Sequence, residues 1–398
     1  MAKMSKSGAN SKFNSKFILG LLFLCVAAGC AARNSGPGQR TASDELPQWL
    51  VSPQLLAAGK LEILWQNELP MGEKESLEQL FILGNRIYAL SDRNYMVSLN
   101  REKGNVIFSR FVARAGFPVF GLGLYKPVQG AAVLSKVEGA GGNELFSLIG
   151  NKLVEINPEF GTERSVKRLL ISATCPIARN SSYFYLGGVD RRMHVLRVGD
   201  KVQVFEVAAQ NDSMITSIIA DEDFVIFATD AGNVISITPD RPRRLWQFDA
   251  AGGIVAPIVR DAESLFVAGK DTNVYRVNIL TGRLVWKYQT EAVLDRAPRI
   301  TQGVVYQYVR GKGLLAIDKE SGDVLWLLAE GVDLLAEADG KAYVITNAGA
   351  LVVMDNKRAK QLYSVNFAPV SRYTANVTDS KIYIADKAGR IACLKPVE

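Results

Sequence analysis

The chain is 398 residues long, longer than most single domains although closed all-β architectures reach this size. Its formal charge of +7 overstates the basic balance. Lys3, Lys6, Lys12 and Lys16 lie in an N-terminal stretch without acids, and without them the charge falls to about +3. The remaining lysines and arginines are scattered among acids, which excludes a sequence-evident nucleic-acid groove or polybasic membrane patch.

In chain order, the lysine-bearing start is followed by the apolar run Phe17 to Ala28. That run is too short to span a bilayer, which needs roughly 20 residues, but it suits a signal-peptide core. Residues 1–29 are therefore read as a signal peptide. The ending Val26-Ala27-Ala28-Gly29-Cys30 resembles the lipobox of bacterial lipoproteins, with Ala27 where leucine is usual. The resemblance implies lipidation at Cys30, and Ala31 after it implies delivery to the outer membrane. An ordinary secretory signal cut near Ala28 is the alternative. Residues 30–59 are expected to form the anchor cysteine and a flexible tether, small and polar from Arg33 to Ser43.

From residue 60 to 398, short runs of Val, Ile, Phe and Tyr alternate with Gly, Asn and Asp clusters, and no helical period is sustained. An aromatic step recurs at Tyr88, between Val133 and Phe146, and at Tyr185, Phe227, Phe266, Tyr306, Tyr343 and Tyr383. A second marker runs in phase: Phe108, Phe205, Trp246, Trp286, Trp326 and Tyr363, each ending a strand that follows a tight turn. Thr281-Gly282-Arg283-Leu284-Val285-Trp286 and Ser321-Gly322-Asp323-Val324-Leu325-Trp326 show the pattern most clearly, and Gly104 holds the same turn position early in the chain. Each glycine supplies the positive φ of a short hairpin, and the alternation after it turns the tryptophan to a buried face. A four-stranded unit of about 40 residues is the signature of a propeller blade. The expected fold is all-β: an eight-bladed β-propeller of four-stranded antiparallel blades. The last unit lacks its outer strand, and the segment 60–69 with Trp65 matches that strand, so the N-terminal strand is expected to complete the last blade.

Blade two has surplus residues. Either 116–125 is an extra loop, or it is the inner strand and 138–143 caps a lengthened hairpin; the second is favoured. Cys175 and Cys393 fall blades apart and are expected to be buried free thiols in an oxidising compartment.

The units 274–286 and 314–326 look like the pyrroloquinoline-quinone-type propeller repeat. That resemblance covers about residues 60–398 and implies that Trp65, Trp246, Trp286 and Trp326 dock one blade onto the next. The repeat's name does not imply the cofactor. With its lipoprotein signal, the chain is similar to the BamB-like lipoproteins of the outer-membrane β-barrel assembly machinery. The similarity implies a noncatalytic scaffold at the periplasmic face of the outer membrane, lipid-anchored, with a protein partner and no nucleic acid.

The residues agree with a chain that is not an enzyme. His194 is the sole histidine, which removes histidine-based triads and zinc sites; it reads as a plain surface or strand residue. Gly121-Leu122-Gly123 lacks the third glycine of a phosphate loop, and 139–142 reads as a hairpin turn. Asp230, Asp295 and Asp333 read as loop residues rather than catalysts. No metal or cofactor is expected. Arg179, Arg260 and Arg299, on strands expected to face the channel, could gather an anion or pair with nearby carboxylates; pairing is favoured. Rival readings are a ligand-sensing propeller and a small quinone-dependent oxidoreductase.

Overall fold

A computed structural model describes residues 49–127 and 143–397. Among them, eight four-stranded antiparallel sheets follow one another along the chain. Blade one runs from the inner strand Leu77–Leu83 through Arg86–Ser91 and Tyr95–Asn100 to the outer strand Val106–Phe111. The same inner-to-outer order repeats through blade seven. Blade eight pairs Arg372–Thr374, Ile382–Ala385 and Arg390–Pro396 with Leu61–Glu68, so the first strand of the chain completes the last sheet. Its register runs from Leu61 opposite Pro396 to Glu68 opposite Arg390. The ring is thereby closed, and the exposed backbone of a three-stranded blade is paired.

The second strand of each blade is the most deeply buried, because both of its faces meet neighbouring sheets. Tyr88, Tyr185, Phe227, Phe266, Tyr306, Tyr343 and Tyr383 all sit there and are fully buried. Apolar clusters bridge pairs of adjacent blades rather than filling single ones: Phe266 of blade five packs with Val305 and Ile317 of blade six, and Tyr306 of blade six with Val344 of blade seven. Burial by stacking is what makes the ring, rather than the blade, the stable unit.

The structure differs from the sequence reading just ahead of the propeller, where a tether through residue 59 was expected. The short helix Pro53–Ala58, capped by Ser52 and opened by a proline in its first turn, precedes the first strand. Leu50, Val51 and Leu56 are buried against Val365 and Phe367 of blade seven. A six-residue helix is too short to show a 3.6-residue period. In blade two, Val119–Tyr125 is the inner strand, paired with Glu144–Ile149. Its register slips between Phe120 and Gly123, and a Cβ at Gly123 would fall 2.3 Å from the Phe146 ring. The proposed hairpin tip at 138–142 lies outside the described residues.

Candidate functional site

Blade contacts are built from one turn motif. Asn100, Asn157, Asn278, Asp318 and Asp355 each accept the amides two and three residues ahead, which folds the turn before the outer strand. The fifth turn residue is left-handed, with φ of 69° at Gly282 and 81° at Gly322. The preceding blade lays an aromatic ring on that residue. A Cβ at Gly282 would stand 2.5 Å from Trp246, one at Gly322 2.9 Å from Trp286, one at Gly104 2.4 Å from Trp65, and one at Gly161 2.4 Å from Phe108. The indole N–H of Trp65 donates to the carbonyl of Arg101, that of Trp246 to Ile279 and that of Trp286 to Lys319. Trp326 instead donates to Asn356 Oδ1, where Ala359 takes the glycine's place at φ 53°.

Where tryptophan is missing, another group supplies the donor. Arg86 reaches the carbonyl of Pro158 beside Phe108, and the Tyr185 hydroxyl reaches that of Pro239. Between blades two and three the substitution goes further. Ser165, opposite Glu155, stands at the tryptophan register. Lys201, which also donates to the Val198 carbonyl, pairs with Glu155 at 2.9 Å. Arg179 pairs with Glu144 and lies 3.9 Å from Glu155, its guanidinium over the rings of Tyr125 and Phe184. All four charged side chains are largely withdrawn from water, so an ionic cluster fills this seam instead of an indole.

The arginines do not pool on the axis. Arg179 meets Glu144, Arg260 meets Asp221, and Arg299 forms a two-pronged pair with Asp333 at 3.0 and 2.9 Å. Each carboxylate comes from an adjacent blade, and the local neutralisation favoured from sequence is what the geometry contains. His194 is buried, with Nε2 2.9 Å from Asp190 and Nδ1 3.2 Å from Gln203. Asp230 accepts the Met214 amide and Asp295 pairs with Arg310. Cys175 and Cys393 are buried free thiols. Among the described residues, no group of three or more His, Cys, Asp or Glu could hold a metal ion. Cys30 lies outside the described residues.

A surface feature that the sequence did not single out lies between blades one and two. Two residues after the docking ring, blades four to seven carry Phe248, Tyr288, Leu328 and Val365, each packed into the cluster shared with the next blade. Blade one has Arg110 there, and the space stays open. A groove of about 470 Å³ is lined by Arg110, Phe111, Val112, Val154, Ile156 and Glu163. It shares Phe111, Val112 and Glu163 with a second section of about 440 Å³ that reaches Glu75, Arg93 and Arg114. Phe111 is 61% exposed on the rim, edge-on to Tyr95, and Phe160 in the adjoining turn is 68% exposed. The signal for this site was an arginine in an apolar column, visible only after the outer strands are placed in register.

Comparison with known proteins bears on the same fold. Residues 230–361, from blade four into the outer strand of blade seven, match the sequence family described as outer membrane protein assembly factor BamB. No curated protein matches the chain. Among solved structures, BamB from Moraxella catarrhalis superposes with a TM-score of 0.63 at 14% identity, covering 84% of this chain and 97% of that one. The computationally designed protein Ika8 superposes with a TM-score of 0.62 at 14% identity, covering 82% and 98%. Fourteen per cent identity carries the fold and no partner. The chain is a pyrroloquinoline-quinone-type repeat β-propeller that resembles BamB.

Proposed function

We propose that this chain is a noncatalytic scaffold that binds protein partners during β-barrel assembly at the outer membrane, held at the periplasmic face by a lipid on Cys30. The observation that carries the reading is the match of residues 230–361 to the assembly-factor family within a closed ring that resembles BamB over most of both chains. Two further features support it. The titratable groups considered as catalysts are tied into turns and ion pairs, and the exposed phenylalanines Phe111, Phe117 and Phe160 all lie on blades one and two or the loop joining them, where large apolar side chains in water suit an association surface. The Trp65, Trp246, Trp286 and Trp326 contacts serve this role indirectly, by keeping the platform rigid.

The test is crosslinking and pulldown of the tagged full-length protein from native membranes, beside a Cys30→Ala variant followed by membrane fractionation. Recovery of a β-barrel assembly subunit, with the variant released to the soluble fraction, is the expected outcome. Recovery of no partner by an anchored, folded bait would overturn the scaffold reading and favour ligand sensing. That alternative would show as stabilisation in a thermal-shift screen of sugars and anions.

A further inference from the structure

We propose that the groove between blades one and two binds an extended acidic segment of a partner protein, one that carries aromatic or branched apolar residues between its carboxylates. This deepens the scaffold reading and rests on it. Three observations point to that chemistry. The groove has two connected sections that share Phe111, Val112 and Glu163, so it is long enough to hold a stretch of chain rather than one side chain. Its apolar elements, Val112, Val154, Ile156 and the exposed Phe111, suit apolar side chains presented at alternate positions.

The third observation is charge. Arg93, Arg110 and Arg114 line the groove, and none of them has a carboxylate partner among the described residues. This contrasts with Arg179, Arg260 and Arg299, which are all paired. The outer strand of blade two carries Arg164, Lys167 and Arg168, the last directly opposite Lys152. Glu75 and Glu163 are the acids in the groove lining and leave cations in excess. This strand is also the edge of its sheet, with backbone groups open to an added strand.

The same charge argues against a second copy of this chain, because a self-complementary contact would set arginines against arginines. A lipid surface would satisfy the cations, but a flat headgroup layer would not enter a groove between two blades.

The experiment measures fluorescence anisotropy of a labelled peptide of about ten residues alternating glutamate and phenylalanine. It is titrated with the full-length chain, its Arg110→Glu and Phe111→Ser variants, and Arg283→Glu on distant blade five. All three altered side chains are exposed, and far-UV circular dichroism confirms that each variant is folded. Saturable binding that weakens about tenfold or more in Arg110→Glu and Phe111→Ser, and not in Arg283→Glu, is expected. Absence of binding, or equal binding by all four proteins, would overturn the proposal. So would capture of phosphatidylglycerol vesicles, lost in Arg110→Glu, without peptide binding. The membrane pulldown separates the two levels: an assembly subunit recovered equally by wild type and Arg110→Glu keeps the scaffold and removes the groove. Peptide binding without any assembly subunit removes the scaffold reading alone.

Discussion

Replacing Gly282 by alanine tests whether blade docking is a steric fit between a left-handed turn and an indole. At φ 69° an L-residue is strained by about 1–2 kcal/mol. The added Cβ would also lie 2.5 Å from the Trp246 ring, and overpacking of this kind costs about 1–3 kcal/mol. Gly282→Ala is therefore expected to destabilise by about 2–5 kcal/mol in total. Trp246→Ala, which empties the seam and removes the donor to Ile279, is expected to cost about 3–5 kcal/mol. In the double variant the clash is gone and only the backbone strain remains. The two changes should thus fall short of additivity by about 1–3 kcal/mol. Urea unfolding of the full-length chain followed by far-UV circular dichroism reads this directly, and it avoids a fluorescence signal that changes when tryptophan is removed. Blade seven provides an internal comparison: Ala359 occupies the turn at φ 53°, and the indole of Trp326 donates to Asn356 Oδ1. If Gly282→Ala costs the same with and without Trp246, the ring does not police the glycine and the docking argument fails.

The ionic seam should behave differently from the aromatic ones. Glu155→Leu leaves Lys201 and Arg179 facing only Glu144, at a cost of about 3–5 kcal/mol; adding Lys201→Met should recover much of that in the urea midpoint, and an equally damaged double variant would refute the pairing. Burial pushes the Cys175 thiol up to about 11 and the Cys393 thiol up to about 12, so these two thiols should resist iodoacetamide near pH 8 in the native protein and react only as it unfolds. Because both thiols are raised in the folded state, their stabilising contribution is complete below the unfolded value of 9.0 and is lost above it. The melting temperature should fall progressively from pH 9 upward, with Tyr88 and Tyr275, raised to about 12 mainly by burial, contributing in the same direction. A melting temperature unchanged from pH 9 to 11 would contradict this. Deleting residues 60–69 should expose the edge of the strand Arg390–Pro396 and aggregate the domain; a cooperative, unshifted melt would show that ring closure does not need the N-terminal strand.

How much of this was legible depended on whether a feature repeats. The aromatic steps from Tyr88 to Tyr383 and the turn glycines Gly282 and Gly322 recur in phase, so their period announces the blades before any contact is known. The strand 61–68 was legible for the same reason, since Trp65 copies the tryptophan column. Single events left no period to detect. The helix Pro53–Ala58 is under two turns long, and its burial depends on Val365 and Phe367 more than 300 residues away. Lys201 and Glu155 carry no local mark of an ion pair; they meet because stacking brings the turn after the strand Arg192–Arg197 of blade three against the strand Lys152–Ile156 of blade two. The pairing of Arg299 with Asp333 was within reach of sequence only as a class of outcome, because either channel assembly or neutralisation fits an arginine on an inner strand.

The departures from the repeat are not spread evenly round the ring. Blades four to six keep both the docking tryptophan and the apolar residue two places on, in Trp246 and Phe248, Trp286 and Tyr288, and Trp326 and Leu328. Blade one has Phe108 and Arg110 in those places, and blade two has Ser165 and Lys167. A purely structural ring gains nothing from this exchange, since an exposed arginine forfeits apolar burial worth roughly 25 cal/mol per Å². Stability is retained there by Arg86 on the Pro158 carbonyl and by the Glu155–Lys201 pair, so the seams hold while the outer face turns basic and stays open. Local rules broken and compensated in one neighbourhood are what a binding site imposes on a scaffold. In this ring that neighbourhood is the face of blades one and two.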